Sequence, residues 1–286
     1  MKTNLKVQLY KNRKLVWAIS LCLSLLSIIG MIVCFRSPLI ESPLNLGLDY
    51  TGGTQITLER KCDDYCIELN TSDISQRIST LNSDNSQFNS NKSPNLSGSQ
   101  IQLLDNSKLI SIRLPFLSAI QSDQVVEKVM NDFGPFIDSN TSIEIIGPSL
   151  GKQLLKSSLI SLLVAFICIA LYINFRYDRR YSFLALLALF HDVLIVCGVF
   201  AWLGYFSNVE IDSLFAVSLL TIAGYSVNNT VVVFDRIREK SLIENQLSFK
   251  YQIDKAVGAT LTRTLYTSLT TLLPLICILI WGGSTL

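Results

Sequence analysis

GYSVNNTVVVFDRIRE, residues 224–239, decides how the chain is read. Its first eleven residues carry no charge, whereas four of its last five do. An uncharged run that ends abruptly in a cluster of charge reads as a helix leaving a bilayer. Traced backward from Phe234, the uncharged run reaches Ser213, enough to cross a hydrocarbon core that needs about 20 residues. Four more stretches pass the same test: residues 15–35, 157–175, 181–203 and 264–281. The composition agrees, since 49% of the 286 residues are hydrophobic and only 16% charged, below the roughly 25% of soluble domains.

Charge sets the expected orientation. Residues 1–14 hold five basic groups and no acid, which places the N-terminus in the cytoplasm and makes the first run an uncleaved anchor rather than a signal peptide. Alternation then puts residues 37–150 outside, RYDRR (176–180) inside, YFSNVEID (205–212) outside and residues 235–263 inside. RYDRR is net +2, and residues 235–263 hold six basic against four acidic groups. The external segment holds seven basic against fourteen acidic, a net −7 that excludes nucleic acid as its partner.

Within residues 37–150, TQITLE (54–59) alternates as a half-buried strand and SDISQRISTL (72–81) has helical spacing, with Ser72 or Asp73 as its cap. SQIQLLD and KLISIRLP flank a turn as a hairpin, SDQVVEKVMNDFG is a helix closed by Gly134, and TSIEIIG is a last strand. The order β-α-β-β-α-β predicts a ferredoxin-like α+β sandwich. Residues 82–99, rich in Ser and Asn, read as a flexible surface loop. The fold class is therefore a multi-span α-helical membrane protein, with five spans (in residues 15–35 and 154–283) and one external ferredoxin-like domain. Five cysteines fall in the apolar runs as small hydrophobes. Cys62 and Cys66 fall outside them, either as a local disulfide or as two free thiols.

His191 and Asp192 are the only imidazole and carboxylate in the five apolar runs. An ionisable group there is costly and marks a hydrated path or a bundle interior. At 1.5 Å per residue the pair lies roughly 15 Å deep. Ser218, Thr221, Tyr225 and Asn228 form a polar stripe on the next span, and Tyr225, Asn229 and Arg236 share a neighbouring face. Interhelical glue is the alternative reading for the hydroxyls. No HExxH or P-loop pattern is present, so neither enzyme chemistry nor a cofactor is expected.

Four motifs in order resemble the SecD/SecF family of protein-export membrane proteins, on its SecF side. LGLDYTGGTQITLE carries Asp49, Gly52, Gly53 and Thr54, and IGPSLGKQL carries Gly147, Pro148, Gly151 and Lys152. ALFHDV carries the His-Asp pair, and the opening stretch carries Gly224 and Asp235. The resemblance implies an auxiliary subunit of the Sec translocase that uses proton flow to promote polypeptide export. Its implied partners are a SecD-type subunit, the SecY/SecE/SecG channel with SecA, unfolded secretory polypeptides and membrane lipid. The implied location is the inner (plasma) membrane, or a thylakoid or plastid membrane, with the large domain on the outer face. The implied proton path runs through Asp192 and Arg236, lined by His191, Tyr225, Asn228 and Asn229. The resemblance also implies Asp where this sequence has Asn229, and a sixth span where it reaches WGGSTL. A shortened form that leans on its partner and a truncated reading frame both fit that ending. A small-molecule or lipid exporter and a non-conducting structural subunit are the competing functions.

Overall fold

The Gly52–Gly53 step launches the first strand of a four-stranded sheet. In the computed structural model, which describes residues 10, 12–38, 40–62, 69–84, 96, 99–104, 107–137, 141–243 and 248–281, the elements in chain order are α1 (Arg13–Arg36), α2 (Leu48–Thr51), β1 (Gly53–Glu59), α3 (Thr71–Asp84), β2 (Gln100–Leu104), β3 (Leu109–Leu114), α4 (Ala119–Phe133), β4 (Ser142–Ile146), α5 (Pro148–Arg176), α6 (Arg179–Ser207), α7 (Ser213–Ile243) and α8 (Phe249–Trp281).

Two units emerge. One comprises Leu46–Ser161 with Glu210–Ala216. Its sheet order is β2-β3-β1-β4 with every pairing antiparallel, the ferredoxin-like arrangement. Period-two alternation turns Ile56 and Leu58 of β1 and Ile110 and Ile112 of β3 inward against Ile74 and Ile78 of α3 and Val125 and Val129 of α4.

Three details differ from expectation. The side chain that accepts from the first turn of α3 belongs to Asn70, whose Oδ1 takes the Ser72 N–H at 3.1 Å. Asp73 instead lies inside that turn, where its charge complements the helix dipole. Helix α4 begins at Ala119 because Ser118 and Gln121 form a reciprocal capping box. Leu96, within the Ser/Asn-rich stretch, is fully buried in the sheet core, and α3 runs into that stretch as far as Asp84. One apolar residue there has found the core despite the polar composition around it. Cys62 is disulfide-bonded, and Cys66 lies outside the described residues.

The other unit comprises Met1–Asn45, Leu162–Val209 and Val217–Leu286. Among the described residues, five helices are long and apolar enough to cross a membrane. Several outrun their apolar stretches: α7 continues past Phe234 to Ile243, and α8 begins at Phe249 rather than near residue 264. Helices α1 and α6 meet through small residues. Ser27 lies against Gly198, and Trp202 packs on Gly30 while its Nε1 donates to the Leu26 carbonyl at 3.0 Å. Cys34 donates to the Ala201 carbonyl at 2.9 Å.

Ile173 and Tyr177 pack with Ala185 and Leu189 of α6 and Ala223 and Val227 of α7. At the corner between α5 and α6, Tyr177 donates to the Val231 carbonyl at 3.3 Å, and Arg176 pairs with Asp235 at 3.5 Å. Burial first, and Asp235 second, push the Tyr177 phenol up to about 12.

Candidate functional site

Asp192 sits midway along α6 with a hydrogen bond on each carboxylate oxygen. Ser226 of α7 donates its hydroxyl to Oδ2 at 2.7 Å, and His191 Nδ1 lies 3.1 Å from Oδ1. On the far side of the imidazole, Nε2 lies 2.6 Å from Ser20 Oγ of α1. Three helices are thereby tied through one carboxylate. An ionised carboxylate can only accept, so Nδ1 then carries a proton, while the Ser20 hydroxyl is able to donate to Nε2 or accept from it.

Asp192 also lines a cavity of about 370 Å³. Tyr225, Ser226 and Asn229 of α7 face it, and α8 contributes Thr267, Ser268 and Thr271. Ile195, Val196 and Ile222 complete the wall. A carboxylate with 46% of its side chain open, in a chamber of hydroxyls and one amide, has room for several waters and groups able to relay a proton.

The expected site residues divide. Asp192, Tyr225 and Asn229 come together at the cavity. His191 is not part of the lining and turns toward α1. Asn228 is exposed and outside the lining, because one residue is a 100° step around the helix from Asn229. Arg236 is also outside it and pairs with Glu239 one turn on, at 2.6 Å. Sequence reasoning missed Ser226, Ser20 and the α8 hydroxyls. The spacing of Thr264, Thr267, Ser268 and Thr271 at three and four residues was the available signal for the last group.

The remaining motif residues build a joint. Gly52 and Gly53 have φ of 71° and 137°, values that favour glycine. A Cβ on Gly151 would fall 2.8 Å from the Gly52 nitrogen, and one on Gly52 would fall 2.9 Å from Pro148 Cα, so the two motifs are in backbone contact. The buried Thr54 hydroxyl accepts from the Leu117 N–H at 3.0 Å. Asp49 Oδ2 accepts from both the backbone N–H (3.0 Å) and the hydroxyl (2.5 Å) of Ser213, beside the α7 N-cap Asp212, whose Oδ1 takes the Phe215 N–H at 3.1 Å. Arg113 pairs with Glu210 and donates to Thr51 and the Leu46 carbonyl, while the Gly47 N–H donates to the Ile211 carbonyl at 2.7 Å. Lys152 is exposed, and open space surrounds the Cβ positions of Gly147 and Gly224.

Comparison with known proteins follows the same motifs. Residues 125–286 match the family described as protein export membrane protein SecD/SecF, C-terminal, and residues 39–64 match the SecD/SecF GG motif. The chain is 54% identical over 277 residues to protein translocase subunit SecF of Prochlorococcus marinus, covering 96% of this chain and 85% of that one. It is 35% identical over 286 residues to SecF of Synechocystis, covering 99% and 85%. Among solved structures, it resembles SecDF of Thermus thermophilus, titled a translocon-associated membrane protein, with a TM-score of 0.77 at 26% identity. That match covers all of this chain and 35% of the SecDF chain.

Proposed function

Because the chain belongs to the SecD/SecF family of protein-export membrane proteins, we propose that it is a SecF-type translocase subunit that couples proton flow at Asp192 to polypeptide export. The observation that carries this reading is the Asp192 carboxylate, open to a hydroxyl-lined cavity inside a multi-pass membrane bundle. A proton crossing a membrane potential releases about 2.3 kcal/mol per 100 mV, and the chain needs no nucleotide site to use it.

Its partners in this reading are a SecD-type subunit, the SecY/SecE/SecG channel with SecA, and unfolded secretory chains. The SecDF relative, of which this chain covers 35%, supports a SecD-type partner. The excess of basic residues in 1–14, RYDRR and 235–263 supports a cytoplasmic N-terminus and an external ferredoxin-like domain. Arg236, on the cytoplasmic extension of α7, stands two turns below Asn229 toward the proposed inner mouth.

A second reading, a non-conducting structural subunit, is favoured by Asn229, an amide that cannot titrate where the family resemblance implies a carboxylate. Export of a reporter into vesicles, with and without an imposed pH gradient, separates the two. Asp192→Asn, which keeps size and hydrogen bonding, is expected to abolish the gradient-driven part. Export equal to the parent would favour the structural subunit.

A further inference from the structure

We infer that His191 and Ser20 are positioning residues that hold one oxygen of Asp192, so that protons are taken and released at the other oxygen, on the cavity side. The inference rests on the proton-path reading above and names which oxygen does the work.

The geometry is asymmetric. Oδ1 faces the imidazole Nδ1 at 3.1 Å, and that ring is held from behind by Ser20 Oγ at 2.6 Å. Ser20 belongs to α1, the helix packed most closely on α6 through Ser27, Gly198, Gly30 and Trp202. Ser20 Oγ holds the far side of the ring at Nε2, and ionised Asp192 takes the Nδ1 proton at Oδ1. That donor is fixed, because turning the ring away would break both hydrogen bonds together.

Oδ2 faces a different kind of partner. The Ser226 hydroxyl is 2.7 Å away and is a rotor: it donates to the ionised carboxylate and can accept from the protonated one. Ser226 also lines the cavity, whereas His191 and Ser20 do not. A proton arriving from the cavity binds Oδ2, where the hydroxyl reverses its role, while Oδ1 remains the carbonyl oxygen that accepts from His191. No bond other than O–H is made or broken, and the proton returns to the cavity by the same oxygen.

The test uses the full chain with its SecD-type partner and the channel in vesicles. His191→Leu retains bulk and removes both hydrogen bonds. It is expected to lower gradient-driven export about tenfold, the effect of losing a hydrogen bond to a charged group, with assembly of the complex unchanged. His191→Asn, whose amide mimics Nδ1–H, is expected to recover most of that loss, and Ser20→Ala to cost a few-fold. Infrared difference spectra provide a readout that packing alone would not move: the protonated Asp192 C=O band, identified by its absence in Asp192→Asn, shifts to higher frequency in His191→Leu.

If His191→Leu retains parental export and an unshifted band while Asp192→Asn loses gradient-driven export, the clamp is overturned and the proton path stands. If Asp192→Asn also matches the parent, the proton-path reading itself fails. His191→Asn no better than His191→Leu, in an assembled complex, would also overturn the clamp.

Discussion

Ser226 and Asp192 join α7 to α6 by a 2.7 Å hydrogen bond at the wall of the cavity. The bond has two consequences: it links the helices mechanically, and it gives the carboxylate a partner that works in either protonation state. Removing the hydroxyl therefore removes both the link and the relay partner. Ser226→Ala is expected to lower gradient-driven export about tenfold, the effect of a lost hydrogen bond to a charged group. Ser226→Thr is expected to restore it, and equal export by the Ala and Thr variants would contradict a role for the hydroxyl.

The contact between the two glycine motifs makes a sharper structural claim. Gly151→Ala drives a methyl to 2.8 Å from the Gly52 backbone nitrogen, and backbone cannot step aside cheaply. The expected loss is about 1–3 kcal/mol, read as earlier thermal unfolding of the purified full chain in detergent. Gly147→Ala is the control, because a Cβ there meets nothing within 4 Å, and it is expected to stay within about 0.5 kcal/mol of the parent. Equal effects of the two substitutions would contradict the joint.

Asp49→Ala leaves the Asp212 cap in place but removes the carboxylate that holds the Ser213 N–H and hydroxyl, at an expected cost of about 1 kcal/mol. Hydrogen exchange of the first-turn amides of α7, from Ser213 onward, is expected to accelerate, while that of amides near Asn229 is unchanged. Asp49→Asn retains an acceptor and is expected to fall between parent and Ala. Unchanged exchange in Asp49→Ala would contradict a role for Asp49 in fixing the start of α7.

Much of this architecture was legible in the sequence, and the failures have physical causes. The strands announced themselves because period-two burial in β1 and β3 copies directly into the pattern of TQITLE and KLISIRLP. Asp192 was legible because a carboxylate in an apolar run has few structural excuses. Its partners were less so. Helix pairing in a bilayer depends on small residues such as Ser27, Gly30 and Gly198, which carry no periodic label saying which helix they face. Ser20 could therefore not be assigned to His191. Leu96 was missed because composition averages over a window, and a single buried side chain in a polar stretch does not move the average.

The corner between α5 and α6 should show itself at high pH. The Tyr177 phenol titrates at about 12 in the folded protein, above the ordinary value of about 10, so the folded state holds this proton more tightly. Its contribution to stability is complete below pH 10 and is lost as pH rises through about 12. Tyr177→Phe has no such proton to lose. The gap in melting temperature between parent and Tyr177→Phe is expected to move in favour of the variant across that window. A gap independent of pH would contradict the shift.

Proton flux itself bears most directly on the central claim. The full chain, assembled with its SecD-type partner in vesicles holding a pH-sensitive dye, is given an imposed membrane potential while a secretory polypeptide is being exported. The parent is expected to acidify the receiving side, and Asp192→Asn, assembled to the same level, is expected to reduce the flux to that of protein-free vesicles. Undiminished flux through Asp192→Asn would contradict proton transfer at this carboxylate.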